Sequence, residues 1–145
     1  MAFPSELRAP RRPASGAPLD VLGAVAVGGA LGSLARYGAA LAWPGPAATL
    51  LVNVLGCLAI GVLMHTITEV VTPHRLLRPF LGVGLLGGFT TLSTYVTDAL
   101  GLALRAHPAL ALAYLVGTVL SCLLAVLAGL VLTRLATRGL RGARR

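Results

Sequence analysis

The sequence predicts an all-α integral membrane protein with four transmembrane helices, the third of them broken. Of its 145 residues, 57% are hydrophobic and only 11% are charged, and the mean hydropathy of +0.87 is too high for a soluble domain. Four apolar stretches reach the length of about 20 residues that a helix needs to cross a bilayer. Glycine and hydroxyl residues interrupt the third stretch. A broken helix is tolerated at that depth only where it is buried in protein or lines a cavity.

The predicted spans form one membrane domain over residues 19–135 and leave no room for a soluble catalytic domain. Because the links between them are short, neighbouring helices should run antiparallel. Residues 1–18, rich in Pro, Ala, Ser and Arg, are expected to form a disordered cytoplasmic tail, and residues 136–145 a basic cytoplasmic tail. The predicted helices cover about residues 19–43, 47–70, 76–104 and 109–135.

The net charge of +8 arises from twelve arginines and four acidic residues. Most of these arginines flank apolar spans, which is typical of a membrane protein, so no nucleic-acid partner is expected. With four spans, both termini and the loop between the second and third helices share one side of the membrane. That side holds ten arginines, and the other holds only Arg36 and Arg105. The positive-inside rule therefore predicts that both termini are cytoplasmic.

The first two spans carry small and polar residues in patterns that indicate helix contacts or a site. Gly28 and Gly32 form a GxxxG pair, which permits close approach of another helix. Arg36, near the end of its span, either extends to the membrane surface or lies in a watery vestibule that attracts anions. Thr49 and Asn53 share one face of the second helix. Asn53 either makes a structural hydrogen bond between helices or contributes to an ion pathway.

The third span contains the most informative motif, residues 84–95. Its glycines are expected to let the helix break, and its hydroxyl groups can cap a new half-helix. Unwound carbonyl groups could then coordinate a cation. The alternative is a kinked helix whose threonines bond back to their own carbonyl groups. The glycines are Gly84, Gly87 and Gly88, and the hydroxyl residues are Thr90, Thr91, Ser93 and Thr94.

The fourth span carries a seam of small residues, every four positions from Ala109 to Gly129, that favours close helix packing. Tyr114, Thr118 and Cys122 form a second line at the same spacing, which either faces the bundle interior or satisfies its hydroxyls within the helix. The two cysteines are interpreted as small packing residues. No nucleophile and base are placed together, so we do not expect an enzyme.

Taken in order, these motifs resemble the Fluc/CrcB family of fluoride channels. The resemblance runs through all four helices, roughly residues 20–135, and its most specific part lies in the third. It is carried by residues 28–37, 49–53, Gly56, residues 87–95, Tyr114 and Thr118.

The resemblance implies a channel subunit in the bacterial plasma membrane that lets fluoride leave the cytoplasm passively and so reduces fluoride toxicity. Family members are antiparallel dimers with two fluoride pores and a structural sodium ion at the dimer centre. On this chain, the resemblance assigns that sodium ion to the backbone carbonyls of Gly87 and Thr90. It assigns the anion path to Arg36, Asn53, Leu92, Thr94, Tyr95, Tyr114 and Thr118.

Two features depart from the family pattern. Leu92 and Tyr95 stand where the family usually has two phenylalanine rings that line the pores, and Leu92 offers no ring edge to an anion. The ten-to-two arginine bias opposes insertion in both orientations, which an antiparallel homodimer requires. We therefore expect a heterodimer with an oppositely oriented paralogue, with a homodimer as the alternative.

The alternative function is a small four-helix secondary transporter of the multidrug-resistance type. Such proteins usually need an acidic residue deep in the first helix for proton coupling. Here the first helix has only Asp20, at its start.

Overall fold

The computed structural model describes residues 18–70 and 74–142. Over these residues the only regular structure is helical, which confirms the predicted all-α class. Four helices are long and apolar enough to cross a membrane: Leu19–Ala42, Pro46–Glu69, Pro79–Leu104 and Pro108–Arg138. The predicted N-terminal tail, apart from Pro18, and the last three residues of the predicted C-terminal tail lie outside the described residues.

The spans differ in how regular they are. The first is helix α1 (Leu19–Ala42), and the second is α2 (Pro46–His65) followed by a π-helical turn, Thr66–Val70. The third begins with a π-helical segment, Pro79–Leu86, runs into the short helix α3 (Gly87–Phe89), and resumes as α4 (Leu92–Leu104). The fourth is α5 (Pro108–Gly142), which continues into the residues predicted as a tail.

Proline starts two of the spans after tight links. Pro46 and Pro108 are the first residues of their helices, where the missing N–H of proline costs nothing. Gly45, just before Pro46, has φ of 110°, which a residue with a side chain rarely adopts. The most extensive packing nevertheless joins spans that are not consecutive, namely α1 with the third span and α2 with α5.

Glycines bring α1 against the first half of the third span. A Cβ atom added at Gly28 would collide with the Phe80 carbonyl oxygen, and one added at Gly88 would collide with the carbonyl oxygen of Gly29. A Cβ at Gly84 would lie 2.8 Å from the carbonyl oxygen of Val25. The predicted glycine contact of the first helix is therefore present, with glycines of the third span as its partners.

The small-residue seam of the fourth helix packs only over part of its length. A Cβ at Gly129 would collide with the Leu58 carbonyl oxygen of α2, and one at Gly61 with that of Val126. Towards the other end, Ala109 and Ala113 are exposed. In that half of α5 the buried alanine is Ala111, which lies on another face of the helix.

Most of the apolar surface faces outwards. In the most apolar 18-residue stretch of each span, only 11% to 33% of the residues are buried inside the subunit. Leu92, for example, is 74% exposed. This distribution suits a chain surrounded by lipid and by another subunit, because lipid offers no penalty to exposed leucine.

The interruption of the third span falls at threonines and not at the predicted glycines. Gly87 keeps helical angles (φ −65°, ψ −35°). The extended residues are Thr90 (φ −75°, ψ 156°) and Thr91 (φ −146°, ψ 125°). The interruption lies within the Gly/Thr-rich motif and is consistent with the predicted break. Gly84 and Gly88 serve the close contact with α1, while hydroxyl and amide groups satisfy the break.

Candidate functional site

The side chain of Asn53 pairs with the backbone of the interrupted segment. The Thr91 N–H donates to Asn53 Oδ1 over 2.8 Å, and Asn53 Nδ2 donates to the Thr91 carbonyl oxygen over 3.0 Å. Asn53 is only 8% exposed. Its amide therefore replaces the backbone partners that Thr91 lost when it left the helix. Of the two sequence-based interpretations, the structural hydrogen bond between helices is present, and it leaves the second N–H of the amide free for another acceptor.

Thr91 also caps the helix that follows the break. Its Oγ1 accepts a hydrogen bond from the N–H of Thr94 over 3.2 Å, the arrangement expected of an N-cap residue. The same hydroxyl donates to Thr94 Oγ1 over 3.1 Å. Thr90 behaves differently, because its hydroxyl donates back to the Leu86 carbonyl oxygen over 2.9 Å. The predicted capping role thus belongs to Thr91, and Thr90 follows the pattern of the kinked-helix alternative.

These bonds remove the usual partners of two carbonyl groups, those of Gly87 and Thr90. In a continuous helix, the N–H of residue 91 would bond to carbonyl 87, and that of residue 94 to carbonyl 90. Here the first donates to Asn53 and the second to Thr91 Oγ1. Gly87 is also exposed. Carbonyl oxygens that have lost their helical donors are suited to coordinate a monovalent cation. Gly87 and Thr90, which are proposed to hold sodium, therefore have suitable donor chemistry.

A groove between α2, α4 and α5 brings four residues of the predicted anion path together. Its volume is about 350 Å³. Asn53 lies on one wall, Leu92 and Tyr95 on another, and Thr118 on the third. Most of the remaining lining is apolar, and it includes both cysteines. The other lining residues are Cys57, Ile60, Thr90, Thr91, Val119, Cys122, Leu123 and Val126.

The hydroxyl of Thr118 is the most unusual polar group in this groove. Thr118 is 4% exposed, and among the described residues its Oγ1 atom has no hydrogen-bond partner. A buried hydroxyl without a partner costs about 1–3 kcal/mol. Threonines in helices usually avoid that cost by bonding to a carbonyl one turn earlier, as Thr133 does with Gly129 over 2.7 Å. A free, buried donor in a groove indicates a site for a small acceptor.

Tyr95 presents its ring to the groove and anchors its hydroxyl elsewhere. The hydroxyl donates to the Leu115 carbonyl oxygen on α5 over 2.7 Å. The ring centroid lies 5.5 Å from that of Tyr114, with the planes tilted by 42°. The hydroxyl therefore ties α4 to α5, while the ring remains available as an edge of positive partial charge.

A second cavity, of about 150 Å³, lies on the other side of the Thr91–Asn53 pair, and we call it the arginine cavity. Arg36 lines it, and its Nε donates to the Gly88 carbonyl oxygen over 3.2 Å. One N–H group of the guanidinium therefore points at the segment just before the break. The polar lining residues are Arg36, Thr49, Thr91, Thr94 and Asp98.

Asp98 was not among the predicted site residues, although it holds the arginine cavity together. Thr49 Oγ1 donates to Asp98 Oδ2 over 2.6 Å, and the hydroxyl of Tyr114 donates to the same atom over 3.5 Å. Tyr114 therefore reaches the site through Asp98. The signal that could have found Asp98 was present, because it shares a helical stripe with Thr91 and Thr94.

Residues 23–130 match the family model described as "CrcB-like protein, Camphor Resistance (CrcB)". This chain belongs to the CrcB family. The match covers all the residues of the groove and the arginine cavity.

CrcB relatives of similar length occur in several bacteria. One, named "Fluoride-specific ion channel FluC 2" in Nocardia farcinica, is 51% identical over 92% of this chain and 97% of its own length. A protein of the same name in Thermobifida fusca is 54% identical over 73% of this chain and 82% of its own. Another in Streptomyces avermitilis is 51% identical over 77% of this chain and 75% of its own.

Proposed function

We propose that this CrcB protein is a subunit of a fluoride-specific ion channel that allows passive export of fluoride from the cytoplasm. The observation that carries the proposal is the buried, unpartnered hydroxyl of Thr118, in the same groove as Asn53 and Tyr95. The names of the relatives support the same ion. Passive export at the plasma membrane would limit fluoride toxicity.

The chemistry of the groove suits fluoride. A small, strongly hydrated anion crosses a membrane only if the protein replaces its water with hydrogen-bond donors. The groove offers the hydroxyl of Thr118, the second amide N–H of Asn53 and the ring edge of Tyr95. On the other side of the break, the guanidinium of Arg36 adds N–H donors, while the carboxylate of Asp98 in the same cavity offsets its charge. Leu92 contributes no donor.

The subunit is proposed to work as an antiparallel dimer around a structural sodium ion. The carbonyl groups of Gly87 and Thr90 have lost their helical donors, and a two-fold axis beside them would bring four such oxygens together. Sodium bound there would hold the subunits together and would not be transported. The largely exposed Leu92 beside this segment is suited to contact with a second subunit.

The partner is proposed to be an oppositely oriented paralogue, with a second copy of this chain as the alternative. The ten-to-two arginine distribution favours one orientation, with both termini in the cytoplasm of a bacterial cell. A paralogue with phenylalanine at the positions of Leu92 and Tyr95 would supply the missing rings.

The alternative function, a multidrug-type transporter, has weaker support. Its proton coupling would require an available acidic residue in the first helix. Asp20, the acidic residue of α1, lies at the helix start and forms an ion pair with Arg75.

The test measures fluoride release from liposomes that contain this chain alone or together with an oppositely inserting paralogue. The Thr118→Val variant keeps the shape of the side chain and loses its hydroxyl donor. We expect fluoride flux to fall at least about tenfold, because one hydrogen bond to an ion contributes at least about 1.4 kcal/mol. The stability of the subunit should not decrease, because the hydroxyl that is removed has no partner in the folded protein. The matched control is Thr133→Val, whose hydroxyl bonds within its own helix outside the groove. Wild-type flux in Thr118→Val would refute the assigned role of this hydroxyl.

A further inference from the structure

A third cavity lies at the end of the bundle where α2 and α5 leave the apolar region, and we call it the end cavity. Its volume is about 300 Å³, at the lower limit of the range of about 300–1,000 Å³ typical of small-ligand pockets. Among the described residues, all those that line it are polar or charged, unlike those of the groove. They are His65, Glu69, Arg134, Thr137 and Arg138.

Two spans supply the residues of the end cavity, α5 on one side and the end of α2 with its π-helical turn on the other. Arg134 and Arg138 are four apart on α5 and therefore lie on one face of that helix. His65 is the last residue of α2, and Glu69 follows it in the π-helical turn. The end cavity is thus built by the regular packing of two spans.

His65 and Thr137 fix the floor of the end cavity. His65 is 8% exposed, and its Nε2 lies 3.4 Å from Thr137 Oγ1. The hydroxyl of Thr137 already donates to the carbonyl oxygens of Thr133 and Arg134, over 2.9 and 3.0 Å. Thr137 therefore contacts both the backbone of α5 and the His65 ring of α2. This arrangement holds the α2 and α5 walls together.

The charges of the lining do not balance. Two arginines four residues apart repel each other, and Glu69 carries the one carboxylate among the described lining residues. That carboxylate already interacts with another group, and it cannot neutralise both arginines. An anion of one negative charge would bring the formal charge of the lining to zero. Guanidinium groups bind phosphate oxygens through paired hydrogen bonds, so a phosphodiester matches both the charge and the donors.

We propose that the end cavity binds a phosphate group through Arg134 and Arg138. The two apolar spans end at Glu69 and Arg138, so the end cavity lies at the depth of the lipid headgroups. Basic pockets between membrane helices at this depth are suited to anionic headgroups, and free phosphate offers the same oxygens. The site is separate from the proposed fluoride path, and three of its residues lie beyond the family match at residue 130.

The experiment uses the full-length protein in detergent and measures two ligands separately. Phosphatidylglycerol and phosphatidylcholine are titrated, and bound lipid is counted by native mass spectrometry. Inorganic phosphate is titrated by thermal shift against chloride at equal ionic strength. We expect the wild type to retain phosphatidylglycerol in preference to phosphatidylcholine if the source is a headgroup, or to be stabilised by inorganic phosphate if the source is the free ion. A wild type that does neither overturns the proposal.

Variants locate the binding. Arg134→Gln with Arg138→Gln should weaken binding about fivefold for each arginine, the usual effect of one basic side chain near an anionic membrane surface. Arg134→Lys with Arg138→Lys keeps the charge and loses the paired geometry, so it should bind with intermediate affinity. The control is Arg78→Gln with Arg105→Gln, which removes the same charge from two exposed arginines outside the end cavity. Equal weakening in the control would show general surface attraction and overturn the assigned site. None of these measurements depends on fluoride transport.

Discussion

At the scale of single residues, Asn53 and Thr118 represent two opposite uses of a buried polar group. The amide of Asn53 makes two hydrogen bonds with the backbone of Thr91, and these bonds keep the interrupted segment in place. Thr118 has no partner among the described residues, so it is available to a ligand. A substitution at Thr118 should therefore affect transport alone, whereas one at Asn53 should affect stability as well.

Asn53→Asp should impair both properties. A carboxylate would face the Thr91 carbonyl oxygen without a proton to donate, and it would place a negative charge beside the proposed anion path. We expect a loss of stability of about 3–5 kcal/mol, as for a buried charge left without its partner, and fluoride flux at background. Unfolding in detergent and liposome efflux measure the two effects. Unchanged flux in the folded variant would remove Asn53 from the pathway.

Tyr95→Phe should separate the ring from the hydroxyl. Loss of the bond to the Leu115 carbonyl oxygen should reduce stability by about 1 kcal/mol. Fluoride flux should be preserved or raised, because the ring that lines the groove is retained. The comparison is Tyr95→Leu, which removes the ring as well and should abolish flux. If both variants carry fluoride equally well, the ring edge has no part in conduction.

At the scale of elements, the two halves of the third span are stabilised in different ways. Its first half approaches α1 through glycines, and its second half starts from a threonine cap. The segment between them is stabilised by α1 and α2, because Arg36 binds the Gly88 carbonyl oxygen and Asn53 binds Thr91. The interruption is therefore a property of three spans together and not of the third alone.

Gly88→Ala tests the first half of that span. The new methyl group would collide with the backbone of Gly29, and we expect a loss of about 1–3 kcal/mol of stability. Gly101→Ala is the matched control, because no described atom lies within 4 Å of the added Cβ. There the helix should become more stable by about 0.5–1 kcal/mol. Equal stability of the two variants in thermal unfolding would contradict the close packing of α1 on the third span.

At the scale of the whole molecule, three features of the described residues suit the proposed dimer. The groove is open, much of the apolar surface is exposed, and the carbonyls at the break have lost their helical donors. Each of these features is expected of one half of a dimer. The proposed sodium site would exist only in the assembled pair, since one subunit supplies two of the four oxygens.

Gly87→Val tests the proposed dimer without disturbing the subunit. Gly87 has helical angles, and no described atom lies within 4 Å of an added Cβ, so the subunit should still fold. A branched side chain beside the proposed sodium ligand should raise the dimer dissociation constant at least about tenfold, a change of about 1.4 kcal/mol. Subunit counting in lipid, with sodium or with a large organic cation, measures this. Gly117→Val, also in open space, is the control. A dimer unaffected by both Gly87→Val and the removal of sodium would contradict the proposed site.

The sequence by itself determined the four spans and the position of the interruption to within a few residues. Both depend on local properties, namely the length of apolar runs and the clustering of hydroxyl and glycine residues at membrane depth. The sequence also identified Asn53, Leu92, Tyr95 and Thr118 as candidate site residues. The structure brings all four to one groove.

Only the tertiary structure decided which residues leave the helix and which polar groups remain free. Thr90 and Thr91 are extended because Asn53, from another span, supplies the partners that the helix no longer provides. Asp98 enters the site because Thr49 and Tyr114 converge on it from two other helices. Hydrogen bonds between spans depend on the rotation and depth of each helix, and those are set by packing against the others.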